Sequence, residues 1–109
     1  MLSDLPPIDN GTDLSFVYKL DEDMLNLFFE IIDYSVVTMA EIIEKDLQGS
    51  KEYLQHLPLE QNQEICRFHR QLLQVYTDYE LYEECKEIKF IVESLENYQE
   101  EVGSLLKKP

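Results

Sequence analysis

The stretch that decides the fold runs from Asp78 to Leu106 and reads DYELYEECKEIKFIVESLENYQEEVGSLL. Leu81, Ile88, Leu95 and Val102 recur every seven residues, Ile91, Tyr98 and Leu105 fill the intermediate seam, and Cys85, Val92 and Leu106 widen it. A single apolar stripe at this spacing marks one long amphipathic helix. The opposite side carries Glu83, Glu87, Glu93, Glu96, Glu100 and Glu101. Such a stripe has to be covered, and the other long apolar-periodic segments lie upstream.

The most apolar of these runs from Met24 to about Leu47 without Gly or Pro. Leu25, Phe28, Ile32, Val36, Met39 and Ile43 follow helical spacing, and Leu27, Phe29, Ile31, Val37, Ala40 and Ile42 extend the apolar cover around the flanks. A helix apolar over more than half its circumference is expected at the geometric centre, packed on two sides. Asp21 is placed to cap it, with Glu22 and Asp23 suiting the positive end of the helix dipole, and Gly49 is placed to end it. Ser50 to Leu57 reads as two short turns of helix with Ser50 as cap, and Pro58 resets the chain. From there to Tyr76, Ile65, Phe68, Leu72, Val75 and Tyr76 share a side. Thr77-Asp78 leaves so short a connection that the flanking helices should pack antiparallel. Lys107 and Lys108 suit the negative end of the last helix.

Ahead of all this, Pro6, Pro7, Asn10 and Gly11 describe an irregular arm that Leu2 and Leu5 could anchor. Leu14 to Leu20 sets Leu14, Phe16, Tyr18 and Leu20 against Ser15, Val17 and Lys19, an alternation typical of a strand. No second strand pattern exists to pair with it, so an extended arm along the helices and a first helical turn are both open. The expected architecture is an all-α antiparallel bundle of three long helices, about 22–47, 59–76 and 79–106, with a short helix at about 51–57. Residues 1–20 form an extended N-terminal arm across a single bundle domain of residues 21–109. The core should hold Leu25, Phe28, Ile32, Val36, Met39, Ile43, Ile65, Phe68, Leu72, Ile88, Val92 and Leu95.

A chain of 109 residues has room for one core and not for a deep cofactor cleft as well. Its 23 acidic residues against 9 basic ones leave a net charge of −14. Direct nucleic-acid binding is not expected, because affinity for phosphate comes from Lys and Arg, and anionic membrane surfaces are disfavoured on the same ground. The N-terminal residues lack the basic and apolar regions of a signal peptide, and no apolar run reaches the length of a membrane span. Cys66 and Cys85 read as small buried hydrophobes in a reducing compartment, so a cytoplasmic address is expected.

Catalytic chemistry finds few candidates. Cys66 and His69 are spaced for two metal ligands, but a second ligand pair is missing, and no Glu-x-x-His pair of a di-iron bundle occurs. Cys85 has Glu84 and Glu87 as near neighbours in sequence, acidic surroundings that do not favour a thiol nucleophile. The three glycines are isolated and build no phosphate loop. No catalytic residue, metal ligand or cofactor is expected, and a non-enzymatic role follows.

The residues that point elsewhere are tyrosines and glutamates. Tyr79 and Tyr82 stand at the turn into the last helix with Glu80 and Glu83, and Glu87, Glu96 and Glu100 continue along it. Tyrosine is favoured in interfaces because it is large, fairly rigid and amphipathic. Glu80/Glu84, Glu83/Glu87 and Glu96/Glu100 repel across one helical turn, a cost that a cationic partner surface would relieve. Tyr79, Glu80, Tyr82, Glu83, Glu87, Glu96 and Glu100 are therefore the candidate partner-binding residues, for a protein with a basic surface. A merely solvated face would show the same pattern. The heptad register of 79–106 also leaves self-association open.

Within this helix, YEECKEIKFIVESLE, Tyr82 to Glu96, resembles the UVR motif, a short helical hairpin of nucleotide-excision-repair proteins and of regulators of Clp ATPases. Tyr82, Glu83, Cys85, Ile88, Lys89, Val92, Leu95 and Glu96 fall in matching places, while Lys86 replaces a small residue and Phe90 an acid. The resemblance covers about 15 residues and implies protein–protein contact without catalysis. Two functional expectations result: an adaptor, inhibitor or assembly component, or alternatively a nucleic-acid mimic whose carboxylates imitate phosphates. The adaptor should expose an apolar or tyrosine patch; the mimic should expose a continuous acidic band and bind in a strongly salt-dependent way.

Overall fold

Asp21 accepts a hydrogen bond from the Met24 amide at 2.9 Å and opens the first long helix, α1, Glu22–Leu47. The helix stops as the sequence predicts. Gly49 takes a φ of +119°, its N–H reaches the carbonyl of Asp46, and the Ser50 N–H reaches that of Lys45. That pair of bonds is a Schellman closure, and a residue without Cβ suits its left-handed position. The computed structural model describes residues 8–107, with side chains through Gly103. The anchoring expected of Leu2 and Leu5, the side chains of Leu105, Leu106 and Lys107, and all of Lys108 lie outside the described residues.

Two further long helices follow, α2, Leu59–Asp78, and α3, Tyr82–Lys107. No strand occurs among the described residues, and the fold is all-α. α2 and α3 form an antiparallel hairpin: Asn62 meets Gln99, Cys66 meets Val92, and Thr77 meets Cys85. Asp33 of α1 meets Tyr76 of α2, whereas residues 37–47 of α1 border Lys86, Glu87 and Phe90 of α3, and Asp46 borders Tyr98. The bundle is therefore up-down-up, with α1 and α3 parallel.

The connection between α2 and α3 is tighter than its sequence suggests. α2 continues through Asp78, and Glu80 sits at a φ of +60°. The Glu80 N–H reaches Thr77 and the Leu81 N–H reaches Tyr76, a second Schellman closure with a glutamate where glycine would be unstrained. The left-handed region costs an L-residue about 1–2 kcal/mol. Glu80→Gly is expected to raise stability by about 0.5–1 kcal/mol, the gain being reduced by the added freedom of the unfolded chain. Urea unfolding checks this, and a loss of stability would show that the Glu80 side chain has a structural role.

Three expectations need correction. The short helix expected at 51–57 is present in a shorter, tighter form and is not capped by Ser50. Lys51 has a φ of +52°, which interrupts it, and only a 3₁₀ turn, Leu54–His56, forms. Residues 14–19 are not extended either. They form a 3₁₀ helix, Leu14–Lys19, capped by Asp13, and bury Leu14 and Val17. Residues three apart eclipse in such a helix, so Val17 turns inward where strand alternation would turn it out. This helix packs on α2, with Gln71 accepting from the Leu14 N–H at 3.0 Å and donating to the Thr12 carbonyl at 3.1 Å. Finally, α1 is not the centre. α3 is the helix whose backbone both others approach, while α1 and α2 meet mainly through side chains.

Of the expected core, Phe28, Ile32, Val36, Ile43, Ile65, Phe68, Leu72, Ile88, Val92 and Leu95 are buried; Leu25 and Met39 are half-buried against it. Leu14, Val17, Leu54, Cys66, Val75, Tyr76 and Ile91 complete it. Because Ile88, Ile91, Val92 and Leu95 are filled within one chain, self-association through that seam would require the bundle to open.

Candidate interaction surface

The seven candidate residues do not share one surface. Tyr79 is half-buried, stacked on Tyr18 with ring centroids 6.0 Å apart and edge-on to Phe29 at 5.6 Å. Glu96 is paired with Arg70 of α2 at 3.0 Å. Glu87 lies on the other flank of α3, bordering α1. Glu80, Tyr82, Glu83 and Glu100 are exposed, with Tyr82 at 60%. Glu83 approaches Lys86 at 3.8 Å, a solvent-exposed pair of small energetic weight.

What composition and spacing did not single out is the outer side of α1. Ile31, Tyr34, Val37 and Leu47 are exposed at 47, 78, 43 and 62%. These residues belong to the apolar excess that the sequence shows, and which a central helix would have buried. With α3 at the centre, α1 needs only its 28–32–36–43 face for the core, and the rest is left outside. The signal was present as apolar circumference; its reading depended on which helix took the middle.

Two grooves flank α1, with Ile31 and Tyr34 beside one and Val37 and Leu47 beside the other. Between α1 and α2, Ile31, Ile32, Met39 and Ile42 face Phe68 and Leu72, and Ile8 to Asn10 border the slot. His69 lines the same groove. Its Nδ1 donates to the Ile65 carbonyl at 2.8 Å, and burial, opposed by that bond, holds its pKa below the usual imidazole value. Between α1 and α3 a second groove of about 560 Å³ has Val37, Ala40, Leu47 and Phe90 on its apolar side, with Glu41, Glu44 and Glu87 at its edges.

Polar groups elsewhere are mostly committed to structure; among the described residues, Asn62 Nδ2 is buried without a partner. Tyr76, fully buried, donates to Asp33 at 2.6 Å; burial first, then that carboxylate, push its phenol far above the usual range. Tyr18 donates to Asp78 at 2.5 Å, and this bond, with lesser contributions from burial and charge, pushes its pKa up to about 12. Cys66 Sγ faces the Val92 carbonyl at 4.0 Å, with its thiol pKa raised mainly by burial. Since Cys66 faces α3 and His69 the α1–α2 groove, the two do not converge as ligands. No group of three or more metal-ligating side chains occurs among the described residues.

Asp46 is the most heavily engaged carboxylate. It is 8% exposed and accepts from the Ser50 hydroxyl and from the backbone N–H groups of Glu52, Tyr53 and Leu54, the last at 2.6 Å. It thus caps the 3₁₀ turn from the preceding helix. Burial alone would raise its pKa, but the Leu54, Ser50, Tyr53 and Glu52 donors together outweigh burial and hold it below the ordinary 3.8.

Fold and surface together define a class: a small acidic three-helix protein with apolar side chains exposed along its first long helix. No family model, curated protein or solved structure matches the chain. The segment 82–96 that resembles the UVR motif lies within the single helix α3. Among the described residues no helix is long and apolar enough to cross a membrane.

Proposed function

We propose that this protein is a non-enzymatic interaction module, an adaptor, inhibitor or assembly component, acting in the cytoplasm on a partner protein with a basic surface. The observation that carries the reading is the exposure of Ile31, Tyr34, Val37 and Leu47 along one helix of a chain with net charge −14. Exposed apolar side chains scattered singly mean little, but these stand in pairs beside apolar grooves, Ile31 and Tyr34 at the α1–α2 groove and Val37 and Leu47 at the α1–α3 groove, and apolar surface gathered in this way is the mark of a contact surface. The acidic field selects and steers a cationic partner. Phosphate imitation calls on carboxylates and gives no reason for the exposed Ile31, Val37 and Leu47 on α1.

The test is affinity capture from the native host at low and high salt, with mass spectrometry of what is retained. Wild type is compared with a variant carrying Ile31→Lys, Tyr34→Lys, Val37→Lys and Leu47→Lys. A partner retained by wild type at high salt and lost from the variant is the expected result. A nucleic-acid-binding protein held only at low salt, by both forms, would replace this reading with mimicry. Recovery of the chain alone would replace it with homo-assembly.

A further inference from the structure

We infer that the α1–α3 groove receives a basic amphipathic helix of the partner, laid between α1 and α3 as a fourth helix of the bundle. This rests on the interaction reading above and names the site and the occupant. Val37, Ala40, Glu41, Glu44, Leu47 and Gln48 lie along the α1 side of the groove. They span three turns on one helical face, roughly 16 Å at 1.5 Å per residue. α3 contributes Phe90, half-buried, and Glu87, exposed. Parallel helices with an unfilled apolar furrow between them are completed by a helix, since neither presents a strand edge to pair with a strand.

Charge decides the occupant. The groove is lined by three carboxylates, Glu41, Glu44 and Glu87, and among the described residues its one cation, Lys86, lies near Glu83. An occupant with apolar residues at i, i+3 or i+4, and i+7 and with Lys or Arg on its flanks meets both features. A second copy of this chain brings another −14 charges and is a poor occupant. The α1–α2 groove lacks this complementarity: among the described residues Asp9 is the only acid on its lining, and Ile8 to Asn10 already border it.

The probe is a synthetic helix of about 14 residues, long enough at roughly 21 Å to cover the furrow, with Leu at the helical spacing above and Lys elsewhere. A scrambled peptide of the same composition is the control. Binding is followed by fluorescence anisotropy and mapped by amide chemical shifts in the full chain. The amphipathic peptide should bind, with shifts centred on Val37, Ala40, Leu47 and Phe90. Leu47→Lys combined with Glu44→Lys should weaken it by about tenfold or more, as expected for an anchor and its charge partner. Ile31→Lys combined with Tyr34→Lys should change affinity less than about twofold. Shifts centred on Ile31, Met39 and Leu72 would overturn the groove assignment and leave the interaction reading standing. Equal binding of the scrambled peptide, spread along the α3 glutamates, would reduce the attraction to charge and overturn the inference. Absence of peptide binding would also overturn it; host capture, which uses no peptide, would then still decide the broader reading.

Discussion

Asp46→Ala is expected to lower the unfolding free energy by about 3 kcal/mol, one of the two largest single-residue effects expected here. The substitution removes one carboxylate and leaves three backbone N–H groups, those of Glu52, Tyr53 and Leu54, without their acceptor. A buried donor left unsatisfied costs about 1–3 kcal/mol. The Leu54 amide is the buried member, while water can reach the Glu52 side of the turn, which keeps the sum near the middle of the range. Asp46→Asn keeps one acceptor oxygen and should cost roughly half as much. The pH dependence has a definite sign. The folded pKa of Asp46 lies below its unfolded value, so its contribution is full above the unfolded value and is lost as pH falls through the folded one. His69, also lowered, destabilises the fold on acidification from about pH 6.5 downward, but it does so in wild type and variant alike. The difference between the two stability curves should therefore shrink only at acid pH, below about 4. Denaturant unfolding from pH 7 to pH 3 measures it; a pH-independent difference would mean that the carboxylate's charge is not what holds the turn.

Phe28→Ala should cost about 3–5 kcal/mol, the range for a buried phenylalanine. Phe28 has no exposed surface and meets Phe16 at 6.2 Å and Phe29 at 5.5 Å, both edge-on. Phe29 meets Tyr76 at 4.9 Å and Tyr79 at 5.6 Å, and Tyr79 stacks on Tyr18. The rings thus form a circuit from the Leu14–Lys19 helix through α1 and α2 and back. Removing Phe28 leaves a cavity and opens the circuit at Phe16. Tyr34→Ala, at a position 78% exposed on the same helix, should cost less than about 0.5 kcal/mol. Thermal and urea unfolding of the two variants make the comparison. Similar losses from both would contradict this assignment of inner and outer faces on α1.

The long helices were legible because their apolar periods are unbroken and their ends carry Asp21, Gly49 and Pro58, residues with specific backbone consequences. The 3₁₀ segments were not. Leu14–Leu20 alternates like a strand; the Asp13 cap and a tertiary partner, Gln71 with its side-chain amide bonded to the Thr12 carbonyl and the Leu14 N–H, together select the tighter helix. Ser50–Leu57 has helical composition, but Asp46 draws in the amides of 52–54 from outside the segment, and local propensity carries no information about that. The surface misled for a related reason. Tyr79 and Tyr82 look alike in sequence, yet the left-handed turn at Glu80 places one against the aromatic circuit and leaves the other exposed. Whether Ile31, Tyr34, Val37 and Leu47 were core or surface depended on the order of packing, which periodicity does not encode.

The circuit of rings also bears on the order in which the chain assembles. The α2–α3 hairpin joins near neighbours, such as Thr77 and Cys85, only 8 residues apart. The bonds that seat the N-terminal 3₁₀ helix, Leu14 to Gln71 and Tyr18 to Asp78, span 57 and 60 residues. Closing so long a loop costs entropy before any contact compensates for it. The N-terminal 3₁₀ helix is seated on Gln71 and Asp78 of α2, so it is expected to dock after the hairpin has ordered that surface and to leave early in local unfolding. Its aromatic residues, Phe16 and Tyr18, then serve as a latch over one end of the bundle.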